Sequence, residues 1–389
     1  MIKMCMITYD QFEKKYPRAD LIRFKCLGEA LRKKSIEVVY ISSNESIRFE
    51  ESVYKGSKIY KIPFVTRIRI IQVFCFYLFL FPVLLRIKRH GRFHIIFVNS
   101  IFMVLYALMF KWISGSGCIQ LDLMGILTEE KFLGLPKNLV FRIAKRVFSS
   151  IENILSSRVD FITTINNQHR QILLNRTQRS VYVIRDGVFE NILNHEKPMY
   201  IDSTKPQKLI LIFVGQVNHS RLDTLLKVLP ELTAELPTLH LEVLGDGPQL
   251  ERYKKMVQSL GMERRVTFYG HVPHERIFDY IAKADIAFSD DWSVIGFPMK
   301  LFDYMAFRKA IIVEGTESVK ELLENGVDAL FYNNESELKE NILALAKDST
   351  LRRKLGEVAQ ITMNQHTWEK RAEELEKIYQ QFIFPMEMK

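Results

Sequence analysis

Gly296-Phe297-Pro298-Met299-Lys300-Leu301-Phe302-Asp303-Tyr304-Met305-Ala306, followed by the apolar run Ala310–Val313, decides how this chain folds. Gly and Pro open the stretch as a loop, the residues after them continue as a helix, and a strand follows. Loop, helix and strand together make one step of a βαβ repeat. The N-terminus of such a helix offers unpaired backbone N–H groups and a partial positive charge, which suit a diphosphate. Asp303 lies about one turn into this helix, with Lys300 one turn before it. A carboxylate there can accept hydrogen bonds from a vicinal diol such as ribose. Taken alone, an ordinary Lys–Asp pair on a surface helix accounts for the same two residues.

The βαβ pattern extends in both directions. Downstream of residue 208 the expected strands are Leu209–Gly215, Leu239–Gly245, Val266–Gly270, Ile286–Ser289 and Ala310–Val313, with helices over Leu222–Leu236 and Leu250–Leu260 between them. Several of these strands end in Gly or a small polar residue, the edge at which an open parallel sheet binds ligands. Upstream, Ile2–Thr8, Glu37–Ile41, His94–Val98, Cys118–Leu121, Phe161–Ile165 and Val181–Ile184 form a second series. The polar stretch Asp186–Lys208, with Pro198 and Pro206, suits an interdomain linker. The expected fold is α/β, with two Rossmann-like domains facing a cleft. Residues 1–188 form the first domain, 189–208 the linker and 209–370 the second domain. A C-terminal helix over 371–389 packs back on the first domain.

At 389 residues, 48% of them hydrophobic and 26% charged, the chain can fill two cores and stay soluble. That balance excludes disordered, collagen-like and multi-span membrane classes. The charge is uneven: residues 1–200 hold 31 Lys and Arg against 16 Asp and Glu, whereas residues 201–389 hold 24 against 29. A basic first half implies an anionic partner. Cys5, Cys26, Cys75 and Cys118 are widely spaced and form no C-x-x-C pair, which fits a reducing cytosol and neither a disulfide framework nor a zinc module. The start of the chain lacks the basic n-region and long apolar core of a secretory signal.

The apolar run Ile70–Leu85 is interrupted by Gln72 and Pro82 and is shorter than the roughly 20 residues needed to span a bilayer. Arg67 and Arg69 precede it; Arg86, Lys88, Arg89 and Arg92 follow. It reads either as a buried helix with a solvated basic end or as a helix lying in an anionic membrane surface. A second apolar stretch, Ile101–Ile113, and the basic helix Lys137–Phe148 favour the membrane surface. The expected location is the cytoplasm, with the chain held peripherally on the inner face of the cell membrane.

The 296–306 stretch resembles the C-terminal donor motif of the GT-B glycosyltransferases, especially the retaining group 1 (family 4) enzymes. Further matches follow in family order: Phe213-Val214-Gly215-Gln216, Leu244-Gly245-Asp246-Gly247-Pro248, Val266–Val272, Ala284-Asp285 and Trp368, with Asp186-Gly187-Val188 resembling the N-G-V element that ends the acceptor domain. The resemblance covers residues 209–380 closely and the first half in layout. It implies a retaining glycosyltransferase that moves a sugar from a nucleotide-diphosphate-sugar to a membrane-associated or lipid-linked glycan acceptor, by front-face substitution. Asp303 would hold the ribose, in place of the family's Glu. Gly215 and Gln216 would border the donor, Val272 would meet the base through its backbone, and Gly296, Phe297, Pro298, Met299 and Leu301 would meet the diphosphate or sugar.

Arg221 and Lys300 would counter the departing diphosphate, so no metal or other cofactor is expected. Asp122, at the end of the Cys118–Leu121 strand, is the catalytic candidate on the acceptor side; capping of the next turn explains it equally well. Asp290-Asp291 is adjacent rather than Asp-x-Asp and reads as a solvated loop. Three positions depart from the family: Ile295 stands where the first acidic residue belongs, Gln216 replaces the usual Arg, and Tyr16-Pro17-Arg18-Ala19-Asp20 replaces the N-terminal Gly-Gly loop. The expected partners are a nucleotide-sugar, a glycan or lipid-linked acceptor and an anionic membrane surface, with no nucleic acid. Two alternatives stay open: a GT-B sugar-nucleotide epimerase or hydrolase, and an inactive glycosyltransferase-like binding subunit.

Overall fold

The computed structural model describes residues 2–13, 19–44, 46, 48–63, 69–89, 91–115, 117–125, 139–193, 208–217, 222–290 and 297–387. The chain divides into two compact units, Met1–Arg185 with Trp368–Lys389, and Asp186–Thr367. The first division falls at Arg185/Asp186, ahead of the polar 189–208 stretch, and Glu190–Leu193 within that stretch is helical.

The strands of the first unit are β1 (Lys3–Gln11), β2 (Glu37–Ser43), β3 (Glu50–Tyr54), β4 (Ser57–Ile62), β5 (Ile95–Val98), β6 (Cys118–Leu123), β7 (Phe161–Thr164) and β8 (Ser180–Val183). They form one sheet in the order β3-β4-β2-β1-β5-β6-β7-β8, parallel except for the β3–β4 pair. Alternate strand residues (Cys5, Ile7, Val39, Ile41, Ile96, Val98, Ile119, Leu121) join one core with the helices Arg69–Lys88, Val104–Ser114 and Leu139–Ser156. The opposite face is covered by Ala19–Lys33 and by Trp368–Glu387, where Phe24 packs against Tyr40 and Phe97, and Phe161 against Tyr379 and Phe382. A parallel sheet buried on both faces explains why these strands read as continuous apolar runs.

The second unit holds β9 (Leu209–Val214), β10 (Leu239–Leu244), β11 (Val266–Gly270), β12 (Ile286–Ser289), β13 (Ala310–Glu314) and β14 (Leu330–Tyr332), all parallel, in the order β11-β10-β9-β12-β13-β14. Leu211 and Phe213 face one core, Ile212 and Val214 the other. The sheet is built outward from β9 in both directions, so its topological switch point lies between β9 and β12. The chain enters and leaves this unit side by side: the Val188 N–H donates to the His366 carbonyl at 3.2 Å, and Val188 pairs with Thr367. At the N-terminal edge of the same sheet, the Asp285 carboxylate accepts the Ile210 N–H at 2.8 Å, tying the start of β12 to the start of β9.

Candidate functional site

The switch point is closed by one side chain. Register pairing between β12 and β9 ends at Phe288 opposite Phe213, so the strands part at Val214. The Tyr304 hydroxyl fills the gap: it accepts the Val214 N–H at 2.8 Å and donates to the Phe288 carbonyl at 3.3 Å. Burial pushes the Tyr304 phenol well above its ordinary range, so the proton it donates stays in place. Tyr304 thereby docks the helix Lys300–Ala306 on the C-terminal edge of the sheet. The sequence signal was an aromatic residue in the first turns of a helix that starts beside a strand end.

Glycines form the rest of the rim. Gly215 follows β9 with φ +144° and Gly245 follows β10 with φ +154°. A Cβ on Gly245 would stand 1.8 Å from the Gly215 carbonyl oxygen, so the two backbones can approach only without side chains. The Gly215 N–H donates to Leu244 O at 2.9 Å, and the Gly245 N–H to Gly270 O at 2.8 Å.

Lys300 reaches this rim from the docked helix. Its ammonium lies 4.1 Å from the centre of the Phe213 ring, and 3.7 Å from where a Gly215 Cβ would be. This largely buried ammonium, over an aromatic face, lies beside the switch point. Asp303 is half-buried in the first turn of the same helix. Structure thus brings Gly215, Lys300 and the helix bearing Asp303 together. Gln216 is exposed just beyond Gly215, and Val272, half-buried, packs against the second core of the unit beyond β11. Phe297, Pro298 and Met299 lead half-buried into the helix, with the Phe297 ring 4.9 Å from Phe302. Gly296, Arg221 and Ile295 lie outside the described residues.

Three sequence expectations are corrected. Leu301 is fully buried and its N–H already donates to Pro298 O at 3.0 Å, so it builds the helix and offers no backbone donor to a ligand. Asp290 is buried just past β12 and is not solvated, while Asp291 lies outside the described residues. Asp122 is 3% exposed, and both its oxygens are taken within the first unit: Arg23 donates to Oδ2 at 2.8 Å and to Oδ1 at 2.9 Å, and Thr163 donates to Oδ1 at 2.6 Å. A carboxylate buried in a forked guanidinium pair is shielded from an acceptor hydroxyl. Its role is to pair the buried Arg23. The pairing continues through Gln120, which donates to Thr163 Oγ1 at 2.9 Å, to Tyr379, which donates to Gln120 Oε1 at 2.7 Å.

Sequence reasoning also passed over Ser289, the last residue of β12. It is fully buried and its hydroxyl has no hydrogen-bond partner among the described residues, which leaves a polar group to spare at the switch point. Among the described residues, no group of three His, Cys, Asp or Glu side chains could hold a metal ion.

Comparison with known proteins bears on this geometry. The family model for glycosyl transferases group 1 matches residues 200–362. Among curated proteins, the chain is similar to the phosphatidylinositol N-acetylglucosaminyltransferase GPI3 subunit of Saccharomyces cerevisiae, 25% identical over 138 residues that cover 33% of this chain and 30% of the yeast protein. The match therefore spans about a third of that relative's length. Among solved structures, sucrose-phosphate synthase from Thermosynechococcus elongatus superposes with a TM-score of 0.76 at 14% identity, covering 98% of this chain and 99% of that one. HepE of Anabaena, solved in complex with UDP-glucose, gives 0.71 at 13% identity, covering 97% and 99%.

Proposed function

Residues 200–362 being a group 1 glycosyl transferase domain and the chain having the GT-B fold, we propose that it transfers a sugar, with retention, from a nucleotide-diphosphate-sugar to a membrane-associated or lipid-linked acceptor. The observation that carries this reading is the switch point: a side-chain-free rim at Gly215 and Gly245, with the Lys300 ammonium beside it and Asp303 on the same docked helix. With no side chain on Gly215, a diphosphate can come close to the Lys300 ammonium. Lys300 supplies charge where the leaving group becomes more negative, so no metal is called for. Asp303 takes the ribose hydroxyls. A UDP-sugar is the first donor to test, because the Anabaena neighbour was solved with UDP-glucose. A lipid acceptor is favoured because the yeast relative is named for transfer to phosphatidylinositol.

A thermal-shift screen of UDP-, GDP-, ADP- and dTDP-sugars tests the donor. A donor at about 100 times its Kd adds roughly 2.7 kcal/mol to native stability. With the donor known, Asp303→Ala is expected to weaken binding at least about tenfold, as a charged hydrogen bond is lost. Lys300→Ala is expected to lower kcat more than it raises KM. Nucleotide affinity unchanged in a folded Asp303→Ala chain removes Asp303 from the site. A product of inverted anomeric configuration by NMR overturns retention.

A further inference from the structure

A cavity of about 890 Å³ opens beside β14, the edge strand of the second sheet, bordered by the turn 324–326 and by the helix Glu335–Lys347. β14 stands two strand positions beyond β12, roughly 10 Å from the switch point. Phe331, half-buried on β14, supplies its aromatic surface. Gly315, which follows β13, keeps one side of that residue clear. A Cβ there would lie 3.4 Å from Phe331 Cβ, 3.5 Å from Phe331 Cδ2 and 3.3 Å from Asn333 Oδ1.

Phe331 also sets the polar groups around it. Asn325 Oδ1 accepts the Phe331 N–H at 2.8 Å, and Asn341 Nδ2 donates to the Phe331 carbonyl at 2.9 Å. One amide is thus held by its oxygen and the other by its nitrogen. Asn325 keeps an NH2 group and Asn341 an oxygen for a ligand, so a donor and an acceptor flank one aromatic residue. The turn that carries Asn325 is braced from behind. Buried Asp328 accepts the Glu324 N–H at 2.7 Å and the Thr362 hydroxyl at 3.2 Å, and Gly326 makes the turn at φ +78°. On the other side, Glu337 holds Asn333 by its N–H at 2.8 Å and its Nδ2 at 3.0 Å. Groups fixed in this way lose little freedom when a ligand arrives.

These residues set three occupants aside. A peptide strand has no free pair of backbone groups to meet at Phe331, because both are taken by asparagines. Phosphates and other anions are repelled: Glu324, Glu337 and Glu340 line the cavity against Lys320 alone, and Lys320 is paired with Glu317 at 2.8 Å. A metal ion is not provided for, since no group of three His, Cys, Asp or Glu among the described residues could hold one. A neutral ring with an apolar C–H face for Phe331, and with hydroxyls that both donate and accept, meets every group present. We propose that this cavity is a saccharide-binding site that holds a neutral sugar unit apart from the donor. The inference rests on the transfer reading above, because a chain that glycosylates glycans encounters such units. It gives the acceptor glycan, or the product, a second hold on the second unit.

The test uses the full chain with maltotriose, chitotriose and mannotriose as probes, in saturation-transfer NMR with and without a mixture of UDP, GDP, ADP and dTDP. At least one trisaccharide is expected to receive saturation on its ring C–H protons and to keep it when the nucleotides are present. Phe331→Leu, which retains an apolar side chain, and Asn325→Ala, at an exposed position, should each weaken its affinity by roughly five- to tenfold. Raising the salt concentration should leave that affinity unchanged, because the sugar carries no charge. Melting curves of the same samples verify folding, and their shift with a nucleotide-sugar reports the transfer reading separately. No saturation of any of the three trisaccharides, saturation that the nucleotides abolish, or saturation unaltered in both variants would each overturn the inference.

Discussion

Tyr304→Phe removes one oxygen from the switch point and nothing else. The ring keeps its volume in the core, so no cavity forms, and the change isolates the hydroxyl. That hydroxyl is the partner of the Val214 N–H where β9 and β12 part, and it also serves the Phe288 carbonyl. Leaving a buried backbone N–H unsatisfied costs about 1–3 kcal/mol. For a folding unit of this size each kcal/mol lowers the melting temperature by roughly 2–4 °C, so a fall of about 2–12 °C is expected. Because a two-unit chain need not melt in one step, hydrogen exchange at the Val214 amide should be read alongside the melt. Its protection is expected to drop, and donor affinity with it, since Lys300 and Asp303 ride on the helix that Tyr304 holds. Wild-type melting together with wild-type exchange at Val214 would refute the assignment of Tyr304 as the clasp.

Two further perturbations separate structural roles from chemical ones. Asp122→Ala strands the fully buried Arg23 guanidinium and should cost about 3–5 kcal/mol in urea unfolding, whereas Arg23→Met with Asp122→Leu should recover most of it; a fully stable Asp122→Ala would reopen Asp122 as a reactive group. Burial pushes the Lys309 amine down to about 8, opposed by Asp285, while it donates to the Ala282 and Ala284 carbonyls at 2.7 Å. The unfolded chain keeps that proton to about pH 10.4, so between those values it binds more protons and stability rises with pH. Lys309→Met should flatten the rise in urea midpoint between about pH 8 and 10, and an unchanged slope would show that other groups cause it.

The parallel sheets were legible because strands buried on both faces are continuous apolar runs, and because β9 and β10 end in the glycines of their turns. The helix Lys300–Ala306 was legible from Gly, Pro and an aromatic-rich run with Lys300 and Asp303 a turn apart. Contacts made by topology were not. Arg23 and Asp122 are 99 residues apart, and nothing local in Leu21–Leu27 separates a buried arginine from a surface one. Asp122 was misread for the same reason: a carboxylate near a strand's C-terminal end suggests a ligand until the helix that neutralises it is in place. The antiparallel pair β3–β4 escaped notice because Glu50-Glu51 and Lys58 mix charge into an edge that only β4 covers on one side. Exposure of Trp112 could not be inferred either, since its helix has no polar face to mark the solvent side.

Trp368–Glu387 belongs to the first unit although 182 intervening residues, Asp186–Thr367, fold as the second. On the ribosome this imposes an order. The first sheet emerges early, yet the face that carries Phe161 and Gln120 stays uncovered while the whole second unit is made and folds. Only when Trp368–Glu387 clears the exit tunnel can Tyr379 reach Gln120 and Phe382 stack on Phe161. Until then the nascent first unit displays apolar surface on the side of its sheet that this helix covers, where holding chaperones are expected to bind. Deleting Trp368–Glu387 would therefore be expected to deplete the protein from the cell, even though every residue at the switch point would still be present.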